Sequence, residues 1–164
     1  MVKEIPLTQG MAAIVDDKDY DDLIKYKWHS HKERSGRYYA KRMSNKINGV
    51  QKSICMHREI LQVPPGADTD HINGNGLDNR RINLRICSRS ENMANSVHKV
   101  PHTSNYKGVC WDSTHSKWLA QICHHRSRIY LGRFDDEKEA AHAVDIKAKE
   151  LFGEFAHLNF PDKK

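Results

Sequence analysis

No Cys-x-x-Cys pair occurs in this 164-residue chain; its four cysteines, Cys55, Cys87, Cys110 and Cys123, lie far apart. That spacing argues against a zinc ribbon and against a disulfide-stapled mini-protein, and four free thiols in a reducing cytosol are expected. Long apolar runs are missing as well. Nothing approaches the roughly 18 apolar residues of a membrane span, and residues 1 to 6 carry no apolar stretch of the kind that opens a secretory signal. A cytoplasmic protein without a membrane partner is therefore expected. Internal repeats and low-complexity tracts are absent too, and the hydrophobic share of 38% allows two small cores or one ordinary domain rather than a large enzyme.

What is present is positive charge, unevenly placed. The formal net charge is +6, and a basic chain of this size commonly meets a polyanion such as nucleic acid. Residues 24 to 58 hold ten Lys/Arg against the single acid Glu33, whereas residues 16 to 22 are acidic. Residues 104 to 134 hold five Lys/Arg against Asp112, and residues 135 to 164 hold eight acids and five bases. A basic face is thus expected on each half, ahead of the final helix in the second.

Local patterns divide the chain. Short β-like runs at residues 12 to 15, 26 to 31 and 38 to 42, separated by Asp-rich and Ser-Gly turn signals, predict a small antiparallel sheet within residues 1 to 55. Residues 56 to 62 suit a short helix ended by Pro64-Pro65-Gly66. A strand is expected up to His71, then a Gly/Asn loop, a second strand over residues 84 to 87, and a helix whose start carries Ser88 and Glu91 at capping-box spacing. Residues 96 to 104 are polar and aperiodic and are taken as a linker between a first domain, 1 to 95, and a second, 105 to 161. In the second, apolar and polar residues alternate around Trp118, Ala120, Ile122, Ile129 and Leu131. A helix over residues 136 to 152 follows, with Ala140, Ala143, Val144, Ala148 and Leu151 on one side and Gly153 as its stop. The fold class is α+β.

The informative segment holds Asp70-His71, the run Asn73-Gly74-Asn75-Gly76, then Asp78-Asn79-Arg80, Asn83-Leu84-Arg85 and Asn92. The Asn/Gly run alone would be an ordinary turn. In this order, within 30 residues, the set resembles the HNH endonuclease family and its ββα-metal motif, spanning about residues 56 to 95. The resemblance implies metal-dependent hydrolysis of DNA phosphodiester bonds. His71 would be the general base, since an imidazole is largely neutral at physiological pH. Asp70 and Asn92 would hold Mg2+ or Mn2+, which takes oxygen ligands and keeps waters and substrate phosphate oxygens. Asn83 would be the middle asparagine, holding the loop, and His57 matches an upstream family position whose role stays open. Arg58 and Arg85 are candidate phosphate contacts. A zinc site from His57, His71, Cys55 and Cys87 lacks the close ligand pairs that structural zinc uses.

Tyr106-Lys107-Gly108-Val109-Cys110-Trp111, Lys117-Trp118-Leu119-Ala120-Gln121-Ile122, Tyr130-Leu131-Gly132-Arg133-Phe134 and the segment around Glu139-Ala140-Ala141-His142 resemble the APETALA2/ethylene-response-factor (AP2/ERF) domain. That family lays a three-stranded antiparallel sheet in the DNA major groove with one helix behind it. The match implies DNA-facing positions at Lys107, Lys117, Gln121, Arg128, Tyr130 and Arg133. Cys110 and Cys123 replace arginines of the plant pattern, so the plant recognition sequence does not carry over. Together the halves resemble free-standing mobile (homing-type) endonucleases of phages, acting as monomers on double-stranded DNA in the host cytoplasm without a small-molecule cofactor. A single active site implies nicking. The alternative is a non-catalytic, sequence-specific DNA-binding regulator with a degenerate nuclease half; an RNA-binding module is a third reading.

Overall fold

The computed structural model describes residues 1–95, 103–125 and 127–161. These fall into two compact units, Met1–Ser88 and Arg89–Lys164.

The first unit opens with β1 (Val2–Pro6) paired antiparallel to β2 (Ala12–Asp16). Ile5, Ala13 and Val15 alternate onto one face and are fully buried there. The acidic run that follows is not the turn its composition suggests but a helix, α1 (Asp17–Leu23). Asp17 and Asp19 sit in its first turn, where carboxylates favour the positive end of the helix dipole, and Leu23 is buried at its far end. The strand expected from residue 26 starts three residues later, as β3 (His29–Lys32). Trp28 accounts for the difference: its indole Nε1 donates to the Leu23 carbonyl at 2.8 Å, which seats the ring in the core and keeps residues 27 and 28 out of the ladder.

β3 pairs with β4 (Tyr38–Met43), which pairs with β5 (Ser53–Cys55), so two sheets occupy residues 1 to 55 where one was expected. Helix α2 (Met56–Leu61) buries Met56, His57 and Ile60. It stops at Gln62, whose φ of 50° breaks the helix before the prolines are reached. β6 (Asp68–His71) and β7 (Leu84–Cys87) form an antiparallel pair in the register Asp70↔Arg85 and His71↔Leu84. One core joins Ile5, Ala13, Val15, Leu23, Trp28, Ala40, Met56, Ile60 and Leu84, and each fully buried large side chain contributes roughly 1.5–3 kcal/mol.

The second unit begins with α3 (Arg89–Ala94). Residues 96–102, the greater part of the expected linker, lie outside the described residues. The three-stranded antiparallel sheet consists of β8 (Val109–Asp112), β9 (Lys117–His124) and β10 (Ser127–Phe134), in the order β10-β9-β8. Against it packs α4 (Glu137–Phe152), capped by the Asp136 carboxylate, which accepts from the amides of Lys138 (2.8 Å) and Glu139 (3.0 Å). Ala140, Ala141 and Val144 let α4 approach Val109 and Ala120 closely, and Trp118, Leu131, Phe134 and Phe160 close the rim. This is the three-strand, one-helix arrangement expected for the second half. Among the described residues no helix is long and apolar enough to cross a membrane, and all four cysteines are free thiols.

Candidate active site

The loop between β6 and β7 is held by its own asparagines. Asn83 Oδ1 accepts the Asn73 amide at 2.9 Å while its Nδ2 donates to the Asp78 carbonyl at 2.8 Å, so one buried side chain ties both ends of the loop. Asn73 Oδ1 accepts the Asn75 amide, and Asn75 Oδ1 the Leu77 amide. The far side is pinned to β2: the Ile14 amide donates to the Leu77 carbonyl at 2.8 Å, and the Asn79 amide to the Ile14 carbonyl at 2.7 Å. Arg81 completes the clamp with its amide on Asp16 and its guanidinium on Asp19. Gly76 must be glycine for lack of space. A Cβ there would meet the Tyr38 carbonyl and come within 2.7 Å of the Tyr39 ring, so the loop lies directly on β4.

Strand β6 ends at His71, and both Asp70 and His71 are only 6% exposed. The His71 and His57 rings meet edge to face with centroids 4.9 Å apart, and Tyr39 sits 5.7 Å from the first and 5.8 Å from the second. His71 Nε2 lies 3.4 Å from Asn79 Oδ1. The amide of Asn79 is oriented by donation from its Nδ2 to the Leu77 carbonyl, and an amide oxygen can only accept. The pairing thus places the proton on Nε2 and leaves Nδ1 as the basic nitrogen. Burial pushes the His71 pKa below its ordinary value, against the opposing pull of Asn79, Asp70 and Asp78. Burial, with the charges of His71, Arg58 and Lys41, pushes His57 down to about 3. Both imidazoles are neutral at pH 7. His57 Nδ1 is buried with no hydrogen-bond partner among the described residues.

Asp70 Oδ2 accepts from Arg85 Nε at 3.0 Å and Nη2 at 2.7 Å. Arg85 is thus directed at Asp70, and Arg58 donates to the Ala67 carbonyl at 2.9 Å. Arg37, which sequence patterning did not single out, extends from the β3–β4 connection to within 3.7 Å of the Cβ position of Gly74, and its charge bears on His71. Tyr39 and Asn79 also escaped the sequence reading as site residues. Asn92 lies on α3, which is counted with the second unit.

The donor set fits a hard divalent cation. Asp70 supplies an anionic oxygen, and the neighbouring imidazoles are neutral rather than cationic, so they do not repel a metal. Among the described residues no cluster of three His, Cys, Asp or Glu surrounds a point, but magnesium needs only one or two protein oxygens alongside water and phosphate.

In the second unit, Arg128, Tyr130 and Arg133 project from β10 and are exposed, Tyr130 by 65%. Arg133 Nε donates to Asp112 at 2.7 Å, and this contact, with His115 alongside, holds the Asp112 carboxyl down at about 2. Lys117 pairs with Asp135 at 3.0 Å. Gln121 is half-buried with its Nε2 3.7 Å from Cys110 Sγ. Lys107 does not extend to solvent: its ammonium donates to the Ala94 carbonyl at the end of α3, and burial pushes its pKa down to about 8. Trp111 packs edge-on against Trp118, with centroids 5.1 Å apart.

Residues 62–94 match the sequence model of HNH endonucleases. An uncharacterised HNH endonuclease of Acanthamoeba polyphaga mimivirus is 29% identical over 153 residues, covering 92% of this chain and 76% of that protein. Protein 3.8 of Escherichia phage T7 is 30% identical over 96 residues, covering 58% of this chain and 78% of that protein. The dehydration-responsive element-binding protein 2D of Arabidopsis thaliana is 35% identical over 89 residues, 53% of this chain; the chain spans only 43% of that plant relative.

Proposed function

The chain belongs to the HNH endonuclease family and carries an AP2/ERF-like domain in its C-terminal part, and from that premise we propose that it is a metal-dependent endonuclease that nicks double-stranded DNA. Residues 1–95 would form the nuclease and residues 105–161 a DNA-binding module. The observation that carries the reading is the state of His71: buried at a strand end, neutral, and with Asn79 Oδ1 on Nε2 so that the basic lone pair falls on Nδ1. A neutral imidazole of this kind removes the proton from an attacking water without itself being ionised beforehand. Asp70 would hold a divalent cation, and that ion, when bound, neutralises charge on the phosphate and the departing 3′ oxygen. Arg85 orients Asp70 through two hydrogen bonds to one oxygen. Asn83 keeps the loop closed under His71. His57 and Tyr39 pack against the His71 ring and fix its plane, and Arg37 stands nearby as a cation for the substrate phosphate.

The exposed Arg128, Tyr130 and Arg133 would bind DNA through the second unit, with the basic β3–β4 hairpin supplying further phosphate contacts. One such site per chain gives a nick, the mode of cutting that suits a mobile, homing-type enzyme acting as a monomer. Supercoiled plasmid incubated with Mg2+ tests this: relaxed circles are expected from the intact chain. His71→Ala should abolish relaxation with DNA affinity held within about twofold. Binding without relaxation by the intact chain would overturn the enzyme reading in favour of a DNA-binding regulator.

A further inference from the structure

Between β4 and β5 the chain continues as a tight ribbon that no catalytic contact uses. The amides and carbonyls of Ile47 and Val50 exchange hydrogen bonds at 3.0 Å in both directions. Asn48 and Gly49 between them have φ of 50° and 77°, which makes a two-residue type I′ turn. The Ser44 amide donates to the Lys52 carbonyl at 2.8 Å, and Ser44 Oγ accepts the Lys52 amide at 2.9 Å, so the ribbon is braced to its base. Directly opposed residues of an antiparallel pair project to the same face. Ile47 and Val50 therefore stand side by side at the tip of a preorganised ribbon, 72% and 62% exposed.

Two β-branched apolar side chains so placed contribute nothing to the core. Lys46 and Lys52 flank them, both exposed and in no ion pair among the described residues, and residues 41 to 53 contain no acid. A polyanion with an apolar interior fits this arrangement: the lysines meet phosphates while the apolar pair enters the base stack. We propose that the β4–β5 tip is a wedge that inserts Ile47 and Val50 between neighbouring base pairs of bound duplex DNA and kinks it there. The proposal rests on the reading of the chain as a DNA-binding enzyme. Apolar side chains used in this way must unstack a step at a cost of a few kcal/mol, so a wedge favours a duplex in which that cost is already met.

The test compares binding of the full chain, in EDTA to prevent cutting, to a labelled duplex of about 30 base pairs and to the same duplex with one central mismatch beside 2-aminopurine. The intact chain is expected to bind the mismatched duplex about tenfold more tightly and to raise the 2-aminopurine signal. Ile47→Ser with Val50→Ser should abolish both effects while leaving the salt dependence of binding and the circular dichroism spectrum unchanged, since neither side chain is packed. Lys46→Gln with Lys52→Gln should retain the mismatch preference and reduce the log–log salt slope by about 2. A preference that survives the serine pair, or its absence from the intact chain, overturns the wedge while salt-dependent binding leaves the nuclease reading standing; no salt-dependent binding at all overturns both. Sedimentation showing a dimer that the serine pair dissolves would assign the tip to a second copy and overturn the wedge as well.

Discussion

Asp145→Asn changes one atom of the second unit and should unfold it at a much lower temperature. Asp145 lies on the buried side of α4 at 6% exposure. Its Oδ1 accepts the Asn159 amide at 2.9 Å and Asn159 Nδ2 at 3.0 Å, and its Oδ2 accepts the Phe160 amide at 2.8 Å. Asn159 in turn accepts the Lys107 amide at 2.7 Å and donates to the Lys107 carbonyl at 3.1 Å, so the carboxylate links α4, the C-terminal segment and the approach to β8. An asparagine can keep Oδ1 on Asn159, but its Nδ2 must then face the Phe160 amide, donor against donor. The loss is one charge-assisted bond, weakening of two others, and one buried N–H without an acceptor, together about 2–4 kcal/mol. For a unit of this size that corresponds to a fall in Tm of about 10–25 °C. Differential scanning calorimetry of the full chain reads it, and hydrogen exchange of the Asn159 and Phe160 amides localises it. A fall of less than about 3 °C would show that the carboxylate is not the fixing point of this corner.

Gly76→Ala should destabilise the first unit by about 2–3 kcal/mol and with it abolish the proposed nicking, because the added methyl group enters the space of the Tyr38 carbonyl and the Tyr39 ring; an unchanged urea midpoint would contradict it. Acid should weaken the same unit through His57. Its folded pKa of about 3 lies below the ordinary 6.5, so the unfolded chain binds the extra proton and stability falls as the pH drops below 6.5 towards 3. At about pH 5 the loss is about 2 kcal/mol, and His57→Phe should remove that component from urea midpoints compared between neutral and acid pH; an equal pH dependence in the variant would refute the assignment.

The second unit was readable in the sequence because local signals and tertiary packing agree there. The alternation around Trp118, Ala120 and Leu131 matches the face packed on α4, and Asp136 and Gly153 mark the ends of that helix. The first unit is less legible. β1 carries only one buried residue, Ile5, and its pattern gains meaning only from pairing with β2. Helix α1 was hidden because five aspartates within seven residues read as a turn, whereas the end of the helix is fixed by Leu23 and by Trp28 folding back onto it. Tertiary burial overrode composition.

The same distinction runs through the candidate site. Residues whose roles depend on chain proximity were legible: Asp70 and His71 adjoin, and Asn83 lies within the loop that it ties. Those that set the chemical state of His71 come from elsewhere. Tyr39 arrives on β4 and Arg37 from the connection before it, with no spacing rule to link them to position 71, and His57, on α2, is legible only through the family resemblance. Asn79 is local, but in sequence it is one more asparagine in a run suited to turns. Only the orientation of its amide, fixed by the Leu77 carbonyl, makes it an acceptor for Nε2. A motif can therefore name the nitrogen-bearing ring, while the choice of which nitrogen carries the proton is made by a fold that brings two hairpins and a helix against one strand end.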